Sequence, residues 1–450
     1  MRRRTYLTSA TVTTLGLSVA GCVGSDGEPG DDDGEPGDDD RTDDEPAVPD
    51  STDDGHEEPD DDGDDEPDDV DEEPDDDDEP DDEADLLGTF DDFENLGAWD
   101  AVVGTLEADS GLAFAGTQSA RLTATESEEQ SRIRRVLSDP IDVTDVVPGL
   151  ALSTTDVANV VIQLHDADGD FLQFQQHVRG SAPFFRQNFG HTGVSGEPDP
   201  TEITEIHVLD WTGGREGELW IDDLHFVPRL TTGRVMIQFQ GGFETNYTRA
   251  FPVLEAHDLT ASTAIATDRM REHDAASGDR LTEAQLAELV DAGWSVGTVG
   301  ANHRQLHRVD SDEVASHVLD PLDWFDERGY DARYFAFPGG RYDERTYELV
   351  AEHYDLGYAG RFRSQGWASN PYTITRISGD VGQRNLDAEA MIDAVDWTAA
   401  HGGITTIVFY QLDDADVAAL EELAAHLAPL VATGDLELLS PGELADGYVY

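Results

Sequence analysis

Leu281-Thr282-Glu283-Ala284-Gln285-Leu286-Ala287-Glu288-Leu289-Val290-Asp291-Ala292-Gly293-Trp294-Ser295-Val296-Gly297-Thr298-Val299 changes its hydrophobic period halfway through. Leu286, Leu289 and Val290 share one face at helical spacing, Gly293 closes that helix, and 294–299 read as a buried strand. The same alternation extends in both directions. Further strands are predicted at 235–240, 261–266, 334–337, 404–410 and 436–439. Helices are predicted at 248–257, 312–328, 345–353, 387–400 and 416–433, the last with Pro429 as a candidate kink. Repeated strand–helix units over 229–450 predict a parallel barrel or open sheet with its site at the strand C-termini.

Residues 87–228 read differently. Short alternating runs at 113–115, 119–125, 131–137, 160–165, 171–178, 203–209 and 218–227 are separated by Gly, Pro and Asp clusters. No long helical period interrupts them, which predicts an antiparallel β-sandwich of jelly-roll type. The chain is thus expected to be multidomain: a signal at 1–22, a linker at 23–86, a sandwich at 87–228 and an α/β barrel at 229–450.

The formal charge of −72 arises from 99 acidic against 27 basic residues, and every basic residue is Arg. So few cations cannot neutralise a phosphate backbone, which excludes nucleic acid as a partner. Residues 25–85 hold 37 acids and only Arg41 among bases, with almost no apolar side chains. Such a segment cannot bury enough surface to offset its ordering entropy and is expected to be a disordered acidic stalk. Residues 86–450 still carry 62 acids against 23 Arg. Acidic, lysine-free surfaces resemble those of extremely halophilic proteins, whose self-repulsion molar salt screens.

Arg2, Arg3 and Arg4 precede an uncharged stretch from Leu7 to Ala20, too short to span a membrane. The pattern resembles a twin-arginine export signal, and Val19-Ala20-Gly21-Cys22 resembles a lipobox. The resemblance implies lipidation at Cys22, the sole cysteine, and extracellular anchoring to the membrane.

Four landmarks carry a resemblance to the polysaccharide deacetylase family (NodB homology domain) over 232–445. They are Phe239-Gln240-Gly241-Gly242, then Gly293–Gly297 with Asn302-His303, then Phe335-Ala336-Phe337-Pro338-Gly339-Gly340-Arg341-Tyr342-Asp343, and a strand ending Phe409-Tyr410. The resemblance implies a distorted seven-stranded barrel that deacetylates amino sugars or sugar hydroxyls. It also implies zinc or another divalent metal on one Asp and two His, a second Asp as base, and a late-strand His as acid. Here Gln240 stands at the base, Gly241 at the metal Asp, Val299 at the first His and Tyr410 at the acid; only His303 matches. Gln has no basic carboxylate, and one imidazole does not hold zinc with useful affinity. A rearranged site around the i,i+4 pair His303 and His307 is the competing reading. Arg376 and Asp380 resemble the Arg–Asp pair that orients the family's base. Pro338, Gly339, Tyr342, Trp367, Tyr372 and Tyr410 are candidate sugar-lining residues.

The sandwich resembles galactose-binding-like, carbohydrate-binding jelly rolls through Phe90-Asp91-Asp92-Phe93-Glu94, Gly116–Arg121 and Trp220-Ile221-Asp222-Asp223-Leu224. That resemblance implies a structural calcium, with Glu94 and Asp223 as candidate ligands. Trp211, Phe184 and Phe185 are candidate glycan platforms. Asn246-Tyr247-Thr248 is an N-glycosylation sequon. Two functions are expected to compete: a surface glycan-binding protein with lost or impaired deacetylation, and an active deacetylase with a rearranged site. Either has a cell-surface or extracellular polysaccharide as partner.

Overall fold

Alternating side chains build the first half. Strands β1 (Gly88–Asp91), β2 (Asp100–Val103), β3 (Thr105–Asp109), β4 (Ser119–Ala124), β5 (Gln130–Ile141) and β6 (Val146–Thr154) come first. They are followed by β7 (Ala158–Asp166), β8 (Phe171–Val178), β9 (Phe185–Gln187), β10 (Gly190–Ser195), β11 (Ile203–Trp211) and β12 (Gly217–Pro228). They form two antiparallel sheets, one ordered β3-β4-β12-β6-β9 with β1 on β12, the other β10-β8-β7-β11-β5-β2. Val160, Ile162 and Leu164 of β7 and Ile206 and Val208 of β11 meet Leu150, Leu152, Leu219 and Ile221 from the facing sheet in one buried core. The computed structural model describes residues 86–450 except 179–182, 274–277, 311–312, 361–365 and 380–386. Cys22, the signal, the stalk and Asp380 lie outside the described residues.

The second half is a parallel sheet built from β13 (Gly233–Gly241), β14 (Ser262–Ile265), β15 (Ser295–Thr298), β16 (Tyr334–Ala336), β17 (Leu356–Tyr358), β18 (Ile377–Ser378), β19 (Ile404–Phe409) and β20 (Leu436–Leu438). Its order is β17-β16-β15-β14-β13-β19-β18, with β20 beside the start of β13. Ile374, just ahead of β18, bridges back to Tyr358 of β17, so the sheet curls until its two edges touch. Period two then separates the faces. Val235, Ile237 and Phe239 of β13 pack outward against helices α2 (Glu283–Asp291), α5 (Ala388–His401) and α6 (Asp414–Thr433), while Met236 joins Ala264, Tyr334, Ala336 and Tyr358 inside.

Helix starts follow local chemistry. Thr282 and Gln285 form a capping box at α2, as do Asp413 and Asp416 at α6. Helix α6 runs on through Pro429 to Gly434, whose left-handed φ of 79° ends it. The predicted helix at 248–257 is instead a π-turn, Asn246–Ala250, running into the short α1 (Phe251–Glu255). Residues 113–115, predicted as strand, form a turn whose Phe114 and Ala115 amides donate to Asp222. Among the described residues, no helix is long and apolar enough to cross a membrane.

Residues 81–450 belong to one compact unit, and polar side chains stitch its halves together. Asn188, fully buried, donates to the Asn370 carbonyl at 2.7 Å and accepts from the Asn370 amide at 3.0 Å. Trp397 Nε1 donates to the His191 carbonyl at 2.8 Å.

Candidate functional site: the mouth of the parallel sheet

Position 240 closes β13 with its side chain turned into the curled sheet. Gln240 is fully buried, and Arg376 Nη1 donates to its Oε1 at 2.8 Å and to Gln238 Oε1 at 2.7 Å. Gln240 Nε2 lies 3.4 Å from His303 Nε2. Gln240, His303 and Arg376 therefore converge, as the motif alignment requires of a base, a metal ligand and an orienting arginine.

The remaining metal positions supply nothing. Gly241 has φ 106°, and a Cβ there would stand 2.6 Å from a Phe243 ring carbon and 3.3 Å from His303 Cε1. A carboxylate at 241 would thus sit beside His303, but Phe243 now fills that space. Val299 is fully buried in the apolar cluster with Met236, Ala264 and Tyr334. His303 itself holds φ 63°, strained for a residue with a Cβ. Among the described residues, no three His, Cys, Asp or Glu side chains are grouped to hold an ion. The family's divalent metal needs an Asp and two His, and the donors here do not fit it. The His307 side chain lies outside the described residues.

Cationic side chains surround this cluster. Burial pushes His303 down to about 4, assisted by the charges of Arg280, Arg269 and Arg376. Burial likewise lowers Arg376 and Arg280 below the usual arginine range. The Arg280 guanidinium stacks 3.6 Å from the centroid of Phe243, the ring that covers Gly241. Its Nε and Nη1 are buried without a hydrogen-bond partner. Asp279, whose side chain is 55% exposed, stands 3.6 Å from Nε. Neither Arg280, Arg269 nor Phe243 was flagged by the motifs; Arg280 reaches the mouth only through the antiparallel bridge between Phe243 and Arg280.

The other candidates divide. Pro338–Gly340 forms a 3-10 turn with φ 65° at Gly339, where a Cβ would stand 3.7 Å from Gln305 Nε2. Asn302 Oδ1 and Gln305 Oε1 are buried there without partners. Tyr410 follows β19, and its carbonyl accepts from Asn246 Nδ2 at 3.1 Å. Asn246 is fully buried by that contact, so the sequon is closed to glycosylation in the folded protein. Tyr342 and Tyr347 pack on Phe185 of β9, and Tyr372 meets Tyr347 edge-on. Trp367 packs against the sandwich core and Tyr448. Phe185, Tyr342 and Trp367 thus bind the two halves together instead of lining an open groove. Trp211 is 42% exposed at the end of β11, and Phe184 meets the exposed Phe114 at 6.1 Å.

At the sandwich, Glu94 accepts from Thr117 Oγ1 and the Thr117 and Gln118 amides. Asp223 accepts from Arg186 at 2.6 Å and Thr89 at 2.6 Å. Each carboxylate has its own partners. Asp222, fully buried, takes the Phe114 and Ala115 amides.

Residues 229–358 match the polysaccharide deacetylase family model. The Bacillus subtilis protein YxkH, a polysaccharide deacetylase by name, is 24% identical over 164 residues, 36% of this chain. The chain spans 57% of the length of that relative. Among solved structures, the Streptococcus pyogenes deacetylase PplD is 25% identical with TM-score 0.29, covering 32% of this chain and 62% of that one. Bacillus subtilis peptidoglycan deacetylase PdaC is 16% identical with TM-score 0.35, covering 48% and 91%. Gln240 and His303, which converge with Arg376, fall within residues 229–358, the stretch that is similar to the polysaccharide deacetylase family.

Proposed function

We infer that this is a glycan-binding protein of the cell surface whose deacetylase domain has lost or impaired metal-dependent deacetylation. One observation carries the reading: Arg376 and His303 hold an amide, Gln240, where a basic carboxylate is needed. An amide takes no proton from water near neutral pH, and among the described residues no carboxylate lies beside Gln240 to replace it. The unpartnered amide oxygens of Asn302 and of Gln305, the latter close to Gly339, leave hydrogen-bonding capacity for sugar hydroxyls. The 87–228 half acts in this reading as a galactose-binding-like jelly roll, a second carbohydrate-binding module. The acidic stalk and Cys22 lipid hold both at the outer face of a halophile's membrane after twin-arginine export. Calcium at Glu94 and Asp223 remains part of that proposal for the sandwich.

The test is a pair of assays on the full chain with acetylated chito-oligosaccharide and acetylated xylan in molar salt. Binding without acetate release, unchanged by added zinc, is expected. Zinc-dependent acetate release would establish the rearranged-site deacetylase instead.

A further inference from the structure

In a chain with 62 acids against 23 arginines beyond residue 85, a cluster of buried arginines is unexpected. Yet the mouth holds Arg376 and Arg280, 5% and 8% exposed, with the exposed Arg269 beside them. Arg376 is met by two amide oxygens, and Arg280 by an aromatic face. Glu244, the carboxylate on the next residue after Phe243, is already engaged by Arg271 at 2.5 Å. Asp279, 55% exposed and 3.6 Å from Arg280 Nε, is the carboxylate near that guanidinium among the described residues, and a solvated partner at that distance offsets little of the desolvation penalty. Arg280 Nε and Nη1 are buried without hydrogen-bond acceptors, which leaves N–H donors to offer an anionic ligand.

We propose that the mouth binds an oxyanion carried on a sugar, a carboxylate or a sulfate ester, with Arg280 as its principal ligand and Arg269 at the rim. This deepens the glycan-binding reading and rests on it. In that reading, Gln240, Gly241 and Val299 stand where the family has two carboxylates and a histidine, so two negative charges and two metal ligands are missing. The arginines left behind give the opposite sign. Gln240 and neutral His303 then contribute dipoles that do not repel an anion.

The experiment is calorimetric titration of the full chain at fixed ionic strength with four probes: an oligoglucuronate, a sulfated cello-oligosaccharide, neutral cello-oligosaccharide and inorganic sulfate. One charged oligosaccharide is expected to bind at least about tenfold tighter than the neutral one, and which one does so identifies the group. Arg280→Met is expected to reduce its affinity to the neutral level, and Arg280→Lys to retain part of it. Arg269→Gln, at an exposed position that does not threaten folding, is expected to weaken it about threefold. Equal binding of charged and neutral oligosaccharides, unaffected by Arg269→Gln and Arg280→Met, would overturn the anion site and leave the glycan reading standing. Sulfate binding that depends on Arg280, with no oligosaccharide bound, would keep the anion site and overturn the glycan reading. No binding of any probe would overturn both.

Discussion

In the antiparallel half, Arg186 meets Asp223 at 2.6 Å, and Arg135 and Arg121 pair with Asp91 and Glu218. At the mouth of the parallel sheet, Arg280 and Arg376 are buried more deeply and meet a ring and two amides. The Arg186 side chain is 28% exposed and compensated; that of Arg280 is 9% exposed and has only Asp279 at 3.6 Å. Compensation is what structural arginines need, because an unpaired buried charge costs more than the fold recovers from it. The difference separates arginines that hold the sandwich together from arginines held ready for something absent.

Replacing Asp223 should have the largest effect on stability. Asp223→Ala strands Arg186 and is expected to cost about 3 kcal/mol in chemical denaturation. Burial pushes the Asp223 carboxyl up, but hydrogen bonds involving His225, Arg186 and Thr89 outweigh it and pull it down to about 2. A depressed folded value means that this stability is present above the unfolded value near 4 and is lost as pH falls towards 2. The Asp223→Ala penalty should therefore shrink at pH 2; a penalty constant from pH 7 to 2 would show that the pair does not act through charge.

Gly241→Asp comes next. The left-handed φ of 106° and the contact with Phe243 should cost roughly 2 kcal/mol. Adding Phe243→Ala should relieve part of that cost, beyond what the two single changes sum to. Strict additivity would mean that Phe243 does not occupy the place of the missing carboxylate.

Asp210 of β11 tests how the sandwich treats a buried acid without a close cation. Burial pushes it up to about 6, against the pull of the Asn159 amide and Arg215. A raised folded value means that the group stabilises below about 4 and loses that contribution as pH rises through 6. Asp210→Asn keeps the acceptor for the Asn159 amide and should gain about 1 kcal/mol at pH 7.5, with no gain at pH 4. A gain equal at both pH values would point to packing instead.

Arg280→Met should have the smallest effect, within about 0.5 kcal/mol of the parent, because an uncompensated charge is exchanged for an apolar chain still able to lie on Phe243. A loss as large as that of Asp223→Ala would make Arg280 structural and dissolve the contrast between the two regions.

Much of the second half was legible because its signals are local. The shared face of Leu286, Leu289 and Val290, closed by Gly293, placed a helix over 281–292, within two residues of the observed bounds of α2. Strand β6 escaped notice although it is buried in the sandwich, because Pro148 and Gly149 interrupt its alternation. Gly149 is there because the His225 ring occupies the space of a Cβ, 2.3 Å away, a constraint set 76 residues later in the chain. β17 and β18, three and two residues long, are too short to show a period. At the mouth, motif spacing picked out Gln240, Gly241 and His303, which the structure brings together. Arg280 could not be picked out that way, since its unpaired state depends on which chain segments fold over it, and nothing in Asp279-Arg280-Leu281 announces that.

Zinc titration of the full chain by calorimetry, after chelation and at neutral pH, tests the central claim most directly. A mouth holding Gln240, Gly241 and Val299 around one neutral imidazole should take up zinc no more tightly than a surface histidine, at roughly millimolar affinity with no fixed stoichiometry. One zinc per chain at micromolar affinity or better, abolished by His303→Ala, would contradict it.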